Sequence, residues 1–384
     1  MALAFLPYFS FHGMCYFRSW LQNEKIHSFD GQLRINSFIP PWPSAAHKRL
    51  LKAAFSEKRI PFQAYYAVTG QCPCHCAHCS YAKRNDEPLS TGQSLNFINQ
   101  IKKLGGSLLG FTGGEPLFRK DLEELIAACK PELATILFTT GHDLTLNRAY
   151  RLKQAKLDWF TVGFESANEK KHDEIRNFQG SFQKAVTALH HASKAGLYTA
   201  ISTVASKSKV QQGEIEQLYD FAKDHNVGEL RIIPYVATGS GIGNTDEMLG
   251  LEEYKFLTTF HKTMNKIKNG PVVESFSYIE SNELYGCGAG YHHFFVDASG
   301  NVCPCDLTPL SFGSIKDESL PIIWNRMNAY FPRPRLYCIM GKIAPKLADE
   351  TNLPAPFKES TDFIPPLTDK DCLPKMYKYL KKKK

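Results

Sequence analysis

Between residues 62 and 236 the chain alternates short apolar runs with segments of helical period, six times over. The runs at 64–68, 107–111, 135–138, 158–164, 199–204 and 230–236 have the length of buried strands. Between them, apolar residues recur at three and four: Phe97, Ile98, Ile101 and Leu104, then Leu122, Leu125 and Ile126. The same spacing returns in Phe182, Val186 and Leu189, closed by Gly196 as a C-cap, and in Ile215, Leu218, Tyr219 and Ala222. Six such units predict an α/β fold, a parallel sheet with right-handed crossovers curled into a partial (β/α)6 barrel. Sheets of this kind place their ligands at the C-terminal ends of the strands.

The loop leaving the first strand reads Cys-Pro-Cys-His-Cys-Ala-His-Cys, residues 72–79. Cys72, Cys76 and Cys79 have the spacing C-x3-C-x2-C, and Cys74, which interrupts it, is read as a bystander. Three thiolates can each hold one iron of a 4Fe–4S cube and leave the fourth iron open to a substrate or cofactor. A zinc site with His75 or His78 is the rival reading, but no further ligand pair follows until Cys129, which lies in a helical pattern. A disulfide framework does not suit a chain without marks of secretion.

Gly113-Gly114-Glu115-Pro116 follows directly on the second apolar run. With both motifs in order at this distance, the chain resembles the radical S-adenosylmethionine (radical SAM) superfamily over roughly residues 61 to 340. The resemblance implies that Cys72, Cys76 and Cys79 carry a 4Fe–4S cluster whose open iron chelates SAM. It also implies a reductive cleavage to methionine and a 5′-deoxyadenosyl radical. Gly113 and Gly114 then contact the SAM amino group, with Glu115 as a brace for the turn. His78 stands where the family carries an aromatic residue on the adenine. Glu165 and Ser166 face the ribose or substrate, and Arg176 pairs with the SAM carboxylate. Ser202 and Thr203 bond the ribose, and the segment with Thr238 lines the adenine.

A second set of cysteines follows: Cys287, Cys303, Cys305, Cys338 and Cys372. The alternating run 293–296, the turn Ser299-Gly300-Asn301 and Cys303-Pro304-Cys305 predict a β-hairpin. The order Cys287, Gly300, Cys305 resembles the SPASM and twitch extensions of the superfamily. A full two-cluster set has about seven cysteines in that family, so the five here imply one auxiliary 4Fe–4S cluster. Its expected ligands are Cys287, Cys305 and Cys338, with Cys303 or Cys372 as the fourth, and zinc is again the alternative.

These features divide the chain into an N-terminal extension (1–60), a barrel (61–270) and a small α+β iron–sulfur extension with a basic tail (271–384). The extension lacks the run of strands that a peptide-recognition domain needs. Clustered rather than widely paired cysteines, eleven in all, point to a reducing, cytoplasmic setting. The net charge of +8 includes the terminal run 381–384, read as a solvated tail. Nucleic acid is not an expected partner. No stretch is long enough to span a membrane, although the apolar start and basic tail are compatible with peripheral contact at a lipid surface.

The expected function is hydrogen-atom abstraction leading to oxidation or cross-linking of a peptide or small molecule. An electron donor such as flavodoxin or ferredoxin would serve it. The alternatives are the same chemistry on a lipid-linked substrate, or a non-catalytic iron–sulfur or zinc protein of the same fold.

Overall fold

The computed structural model describes residues 11–82, 84, 87–348, 350, 353–367 and 372–380. An antiparallel hairpin, β1 (His27–Phe29) and β2 (Gln32–Arg34), comes first. The six expected strands follow as β3 (Gln63–Thr69), β4 (Leu108–Gly113), β5 (Ala134–Thr139), β6 (Trp159–Gly163), β7 (Thr199–Ala205) and β8 (Glu229–Pro234). Each runs parallel to the one before it. All seven residues of β3 are buried, as in a strand covered on both faces.

Strand alternation sorts the core. Ala64, Tyr66 and Val68 join Leu109, Phe111 and Leu137 on the side of the helices. Tyr65 and Ala67 join Ile136, Trp159 and Phe295 on the inner face. The helix Thr91–Leu104 shows how the covering layer is made. Ser90 and Gln93 form a capping box at its start, Gly105 at φ +95° ends it, and Phe97, Ile98 and Ile101 are buried. Each such buried side chain stabilises by about 1.5–3 kcal/mol.

The C-terminal third departs from expectation in its placement. The predicted hairpin exists as β10 (His293–Val296) and β11 (Val302–Cys303), but β10 also pairs in parallel with β3. At the other edge β9 (Val272–Ser275) adds to β8. The result is one nine-stranded sheet in the order β11-β10-β3-β4-β5-β6-β7-β8-β9. The barrel and the iron–sulfur extension therefore share a sheet, a neighbourhood that local hydrophobic period does not encode.

The N-terminal extension packs rather than standing free. Phe17 and Trp20 of the helix Phe11–Leu21 bury with Ile35, Phe38, Tyr278 and Met376. Residues 27–46 run beneath the N-terminal ends of the strands. There Arg34 stacks on Trp159 and Tyr198, and the Ser37 backbone N–H donates to Glu229 at 3.0 Å. Ser37 also accepts from Arg231 at 2.9 Å, and Arg231 pairs with Glu274 at 2.7 Å. The start of the chain (1–10) and the basic run 381–384 lie outside the described residues. Among the described residues no helix is long and apolar enough to cross a membrane.

Candidate active site

The cysteine loop is held at three points on the C-terminal rim. From β4, Gly114 N–H donates to the Thr69 carbonyl at 2.8 Å and Glu115 N–H to the Gln71 carbonyl at 2.7 Å. The Arg176 carbonyl accepts from His75 N–H at 3.0 Å, and the Cys79 carbonyl accepts from Ser240 N–H at 3.0 Å. The glycines are required by these approaches. A Cβ on Gly114 would stand 2.2 Å from the Gln71 carbonyl oxygen, one on Gly113 2.2 Å from that of Thr69, and one on Gly239 2.1 Å from that of Cys79. In this structure, then, the close contacts of Gly113 and Gly114 are with the chain's own loop.

Glu115 is fully buried and saturated. It accepts from Leu117 N–H at 2.9 Å, Thr139 Oγ1 at 2.6 Å and Thr140 N–H at 2.7 Å, tying the end of β4 to the end of β5. Those bonds are a brace between strand ends.

Beneath the loop lies an ion cluster centred on Glu165, at the end of β6. Arg176 Nη2 donates to it at 2.8 Å, His78 Nε2 lies 3.3 Å away and Lys209 Nζ 3.5 Å away. Burial opposes the charged carboxylate, yet His78, Arg176 and Lys209 together hold it well below the usual range. Glu165 is thus bonded to internal partners, and one nitrogen of His78 is among them. Arg176 passes under Gly163, where a Cβ would meet its Nη2 at 2.1 Å.

Lys209 was not anticipated. It sits in the five-residue helix Lys207–Gln211, in a Ser-Lys-Ser-Lys stretch that reads as solvated surface, and it also donates to Thr203 at 2.8 Å. Ser166 and Thr238 are buried at the same rim, and the Thr238 hydroxyl has no partner among the described residues.

The Cys76 thiol is lowered to about 6, chiefly by the neighbouring Cys74 thiol, with Arg176 and His78 nearby. Among the described residues, no three thiols of this loop come within 4.8 Å of one another.

A cavity of about 810 Å³ opens on the inner face of the sheet. The residues at its barrel end include Thr112, Phe138, Ser202 and Val236, while Cys287, Cys305 and Cys338 line the far end. It abuts the SAM rim without being lined by Cys72, Cys76 or Cys79: Thr112 directly precedes Gly113, and Val236 stands two residues before Thr238. Cys287 and Arg335 exchange backbone bonds at 2.7 and 3.2 Å, which draws the segment carrying Cys338 to the hairpin. Burial pushes the Cys338 thiol up to about 12. Burial also raises the carboxyl of Glu280, which shares the cavity, to about 8.

The other two cysteines of the set are elsewhere. Cys303 is fully buried on the inner face of β11, packed with Tyr65, Tyr81 and Phe295, and Arg84 Nη1 donates to its sulfur at 3.7 Å. Cys372 is exposed. His293 and Asp306 stand beside Cys305 instead, and the three form the one group of potential metal-ligating side chains whose donor atoms lie within 4.8 Å among the described residues.

Residues 66–222 match the model of the radical SAM superfamily, and residues 287–335 match that of the SPASM iron–sulfur cluster-binding domain. The AdoMet-dependent heme synthase of Methanosarcina barkeri (strain Fusaro / DSM 804) is 24% identical over 290 residues, 69% of this chain and 82% of that protein. The PqqA peptide cyclase of Granulibacter bethesdensis is 26% identical over 279 residues, 68% of this chain and 73% of the relative. Among solved structures, Streptococcus suis SuiB bound to precursor peptide SuiA aligns with a TM-score of 0.57 at 16% identity, covering 72% of this chain and 67% of that one. The enzyme anSMEcpe with bound AdoMet aligns with a TM-score of 0.56 at 17% identity, covering 70% and 79%. At such identities the likeness to the solved structures establishes the fold. The two family matches establish the cofactors, a SAM-associated 4Fe–4S cluster and auxiliary iron–sulfur binding. This chain is a radical SAM enzyme with a C-terminal SPASM domain.

Proposed function

We propose that the enzyme oxidises or cross-links a peptide or small molecule seated in the cavity between its two cysteine sets. The observation that carries this reading is the single cavity running from the barrel strand ends to Cys287, Cys305 and Cys338. Its volume of about 810 Å³ falls within the range of sites that enclose a compact ligand or a short peptide segment. Relatives named as a heme synthase and a peptide cyclase act on either kind of molecule.

In this reading Cys72, Cys76 and Cys79 hold the SAM cluster, which when loaded reductively cleaves SAM to the radical that takes a substrate hydrogen atom. The chain's own contribution is geometric. Gly113, Gly114 and Glu115 fix the loop, and Glu165 fixes Arg176 and His78. Ser202 and Thr238 offer hydroxyls to the bound cosubstrate and substrate. The SPASM cysteines stand where an auxiliary cluster would take up an electron from the oxidised substrate. We assign the extension to 1–60, the barrel to 61–270 and the SPASM region to 271–384. The electron donor is of flavodoxin or ferredoxin type.

The test is 5′-deoxyadenosine formation from SAM by anaerobically reconstituted protein with a strong reductant. The Cys72/Cys76/Cys79→Ala variant serves as control, followed by a screen of porphyrins and peptides. Product from the parent alone supports the reading. Absence of product despite an intact cluster supports a binding protein of the same fold. Flotation with liposomes before and after removal of residues 1–25 tests the lipid-linked variant, which fails if truncation leaves association unchanged.

A further inference from the structure

At the end of the sheet away from the cysteine loop, a second cavity of about 340 Å³ opens beneath the starts of β5, β6 and β7. Ala134, Asp158 and Tyr198, at or beside those strand starts, form one wall. The hairpin β1–β2 and the first turn of the helix Ala45–Ala54 form the other. Leu33 and Trp42 exchange backbone bonds at 2.7 and 2.9 Å, and Gln32 Nε2 donates to the Pro43 carbonyl at 3.1 Å. Those bonds fasten the hairpin to the segment that enters the helix, so the space is built into the fold.

Its charge is one-sided. Arg34, Lys130, Lys153 and Lys156 line it against two carboxylates, Asp30 and Asp158. Lys130 pairs with Asp158, and Lys153 with Asp30 at 2.8 Å, which occupies both acids. Lys156 is exposed. Arg34 is only 4% exposed, yet its guanidinium donates to a backbone carbonyl, that of Asp158 at 3.1 Å, and its Nε has no partner among the described residues. Burial holds Arg34 below the usual guanidinium value in spite of Asp158 nearby. Trp159 and Tyr198 cover its face at 4.6 and 4.8 Å, and its donors lie in the plane that those rings leave clear.

The helix start adds to this arrangement. Ser44 caps it by accepting from His47 N–H at 3.0 Å. Ala45 and Ala46, whose N–H groups precede the first intrahelical bond, line the cavity. Such N–H groups, at the positive end of the helix dipole, suit a phosphate. The two surplus cations match the charge of about −1.5 to −2 on a phosphate monoester at neutral pH. A water takes about 30 Å³, so a bare phosphate would fill roughly half of the space or less. Pro41, Leu133 and Leu157 offer apolar contact to an organic remainder.

We propose that this cavity binds a phosphate monoester of a small organic molecule, its phosphate held by Arg34, Lys156 and the N–H groups of Ala45 and Ala46. The site shares no lining residue with the cavity between the two cysteine sets. A ligand there bridges the N-terminal hairpin to the strand starts of the barrel.

Binding is measured by titration calorimetry on the full, anaerobically reconstituted chain in phosphate-free buffer. Ribose 5-phosphate, phenyl phosphate and inorganic phosphate are the probes, and ribose is the uncharged control. The expected result is a monoester bound at one site per chain, more tightly than inorganic phosphate, with no binding of ribose. Lys156→Glu reverses the charge of an exposed side chain and should weaken monoester binding at least about tenfold. Ala45→Pro removes one N–H at a position where proline suits a helix, and should weaken binding as well. Lys120→Glu, an equal charge change on the opposite rim, should leave binding unchanged. Should Ala45→Pro not fold, Arg34→Lys replaces it and is held to the same loss, since it keeps the charge without the planar fork. Absence of monoester binding by the folded parent overturns the proposal, as does equal or tighter binding of inorganic phosphate. Unchanged affinity in Lys156→Glu or Ala45→Pro, or an equal loss in Lys120→Glu, does the same.

Discussion

Arg176 donates to the buried carboxylate of Glu165 at 2.8 Å while its own backbone carbonyl accepts from the cysteine loop at His75. One residue thus connects the strand end of β6 to the loop that carries the first three cysteines. The charge pair is nearly solvent-free, and removing one partner leaves an uncompensated ion.

Glu165→Gln should therefore destabilise the cluster-free protein by about 3–5 kcal/mol at neutral pH, measured by urea unfolding. The sign of its pH dependence follows from the depressed carboxyl. A carboxyl with a lowered folded value contributes fully above its unfolded value of about 4.3 and loses that contribution as the pH falls through the folded value. The gap between parent and variant should shrink steadily below about pH 4. A constant gap down to acid pH would show that the charge is not the source of the stability.

Gly114→Ala places a methyl group against the Gln71 carbonyl and should part the end of β4 from the cysteine loop. Reconstitution should then leave the first cluster site unfilled while the SPASM region still takes up iron. Gly92→Ala, with nothing within 4 Å of the added carbon, is the control and should load normally. Equal loading of both variants would remove the role given to this close approach.

Cys74 stands between Cys72 and Cys76 in the sequence without occupying a place in the C-x3-C-x2-C spacing. Cys74→Ala should take up iron as the parent does and still form 5′-deoxyadenosine. Cys76→Ala should lose about four irons and the activity. Loss of the cluster in Cys74→Ala would make that thiol a ligand.

Cys287→Ala combined with Cys338→Ala should lower iron by about four atoms per chain. Cleavage of SAM at the first site should continue in that protein. If both iron populations disappear together, the two sites depend on each other for assembly.

The strands and the two motifs were legible because their signal is local. Period, glycine pairs and cysteine spacing are all read within a few residues. The partners of Glu165 were not, because His78, Arg176 and Lys209 come from three separate loops and helices. Cys303 and Cys305 show a finer limit. Two residues apart on one strand they would share a face, but β11 ends at Cys303, so the turn sends Cys305 into the cavity and leaves its neighbour inside the sheet. His293 was read only as part of an alternating run, since nothing local distinguishes a strand histidine in the core from one beside a cysteine of another segment.

The parallel pairing of β3 with β10 bears on how the two cysteine sets are held. The strand that delivers the first cysteine loop and the strand that leads into the SPASM hairpin are hydrogen-bonded neighbours, from Gln63 beside His293 to Tyr66 beside Val296. Neighbouring strands keep a spacing of about 4.8 Å. The strand carrying the first cysteine loop and the strand leading into the SPASM hairpin are therefore held together by backbone pairing within one sheet, not across a hinge.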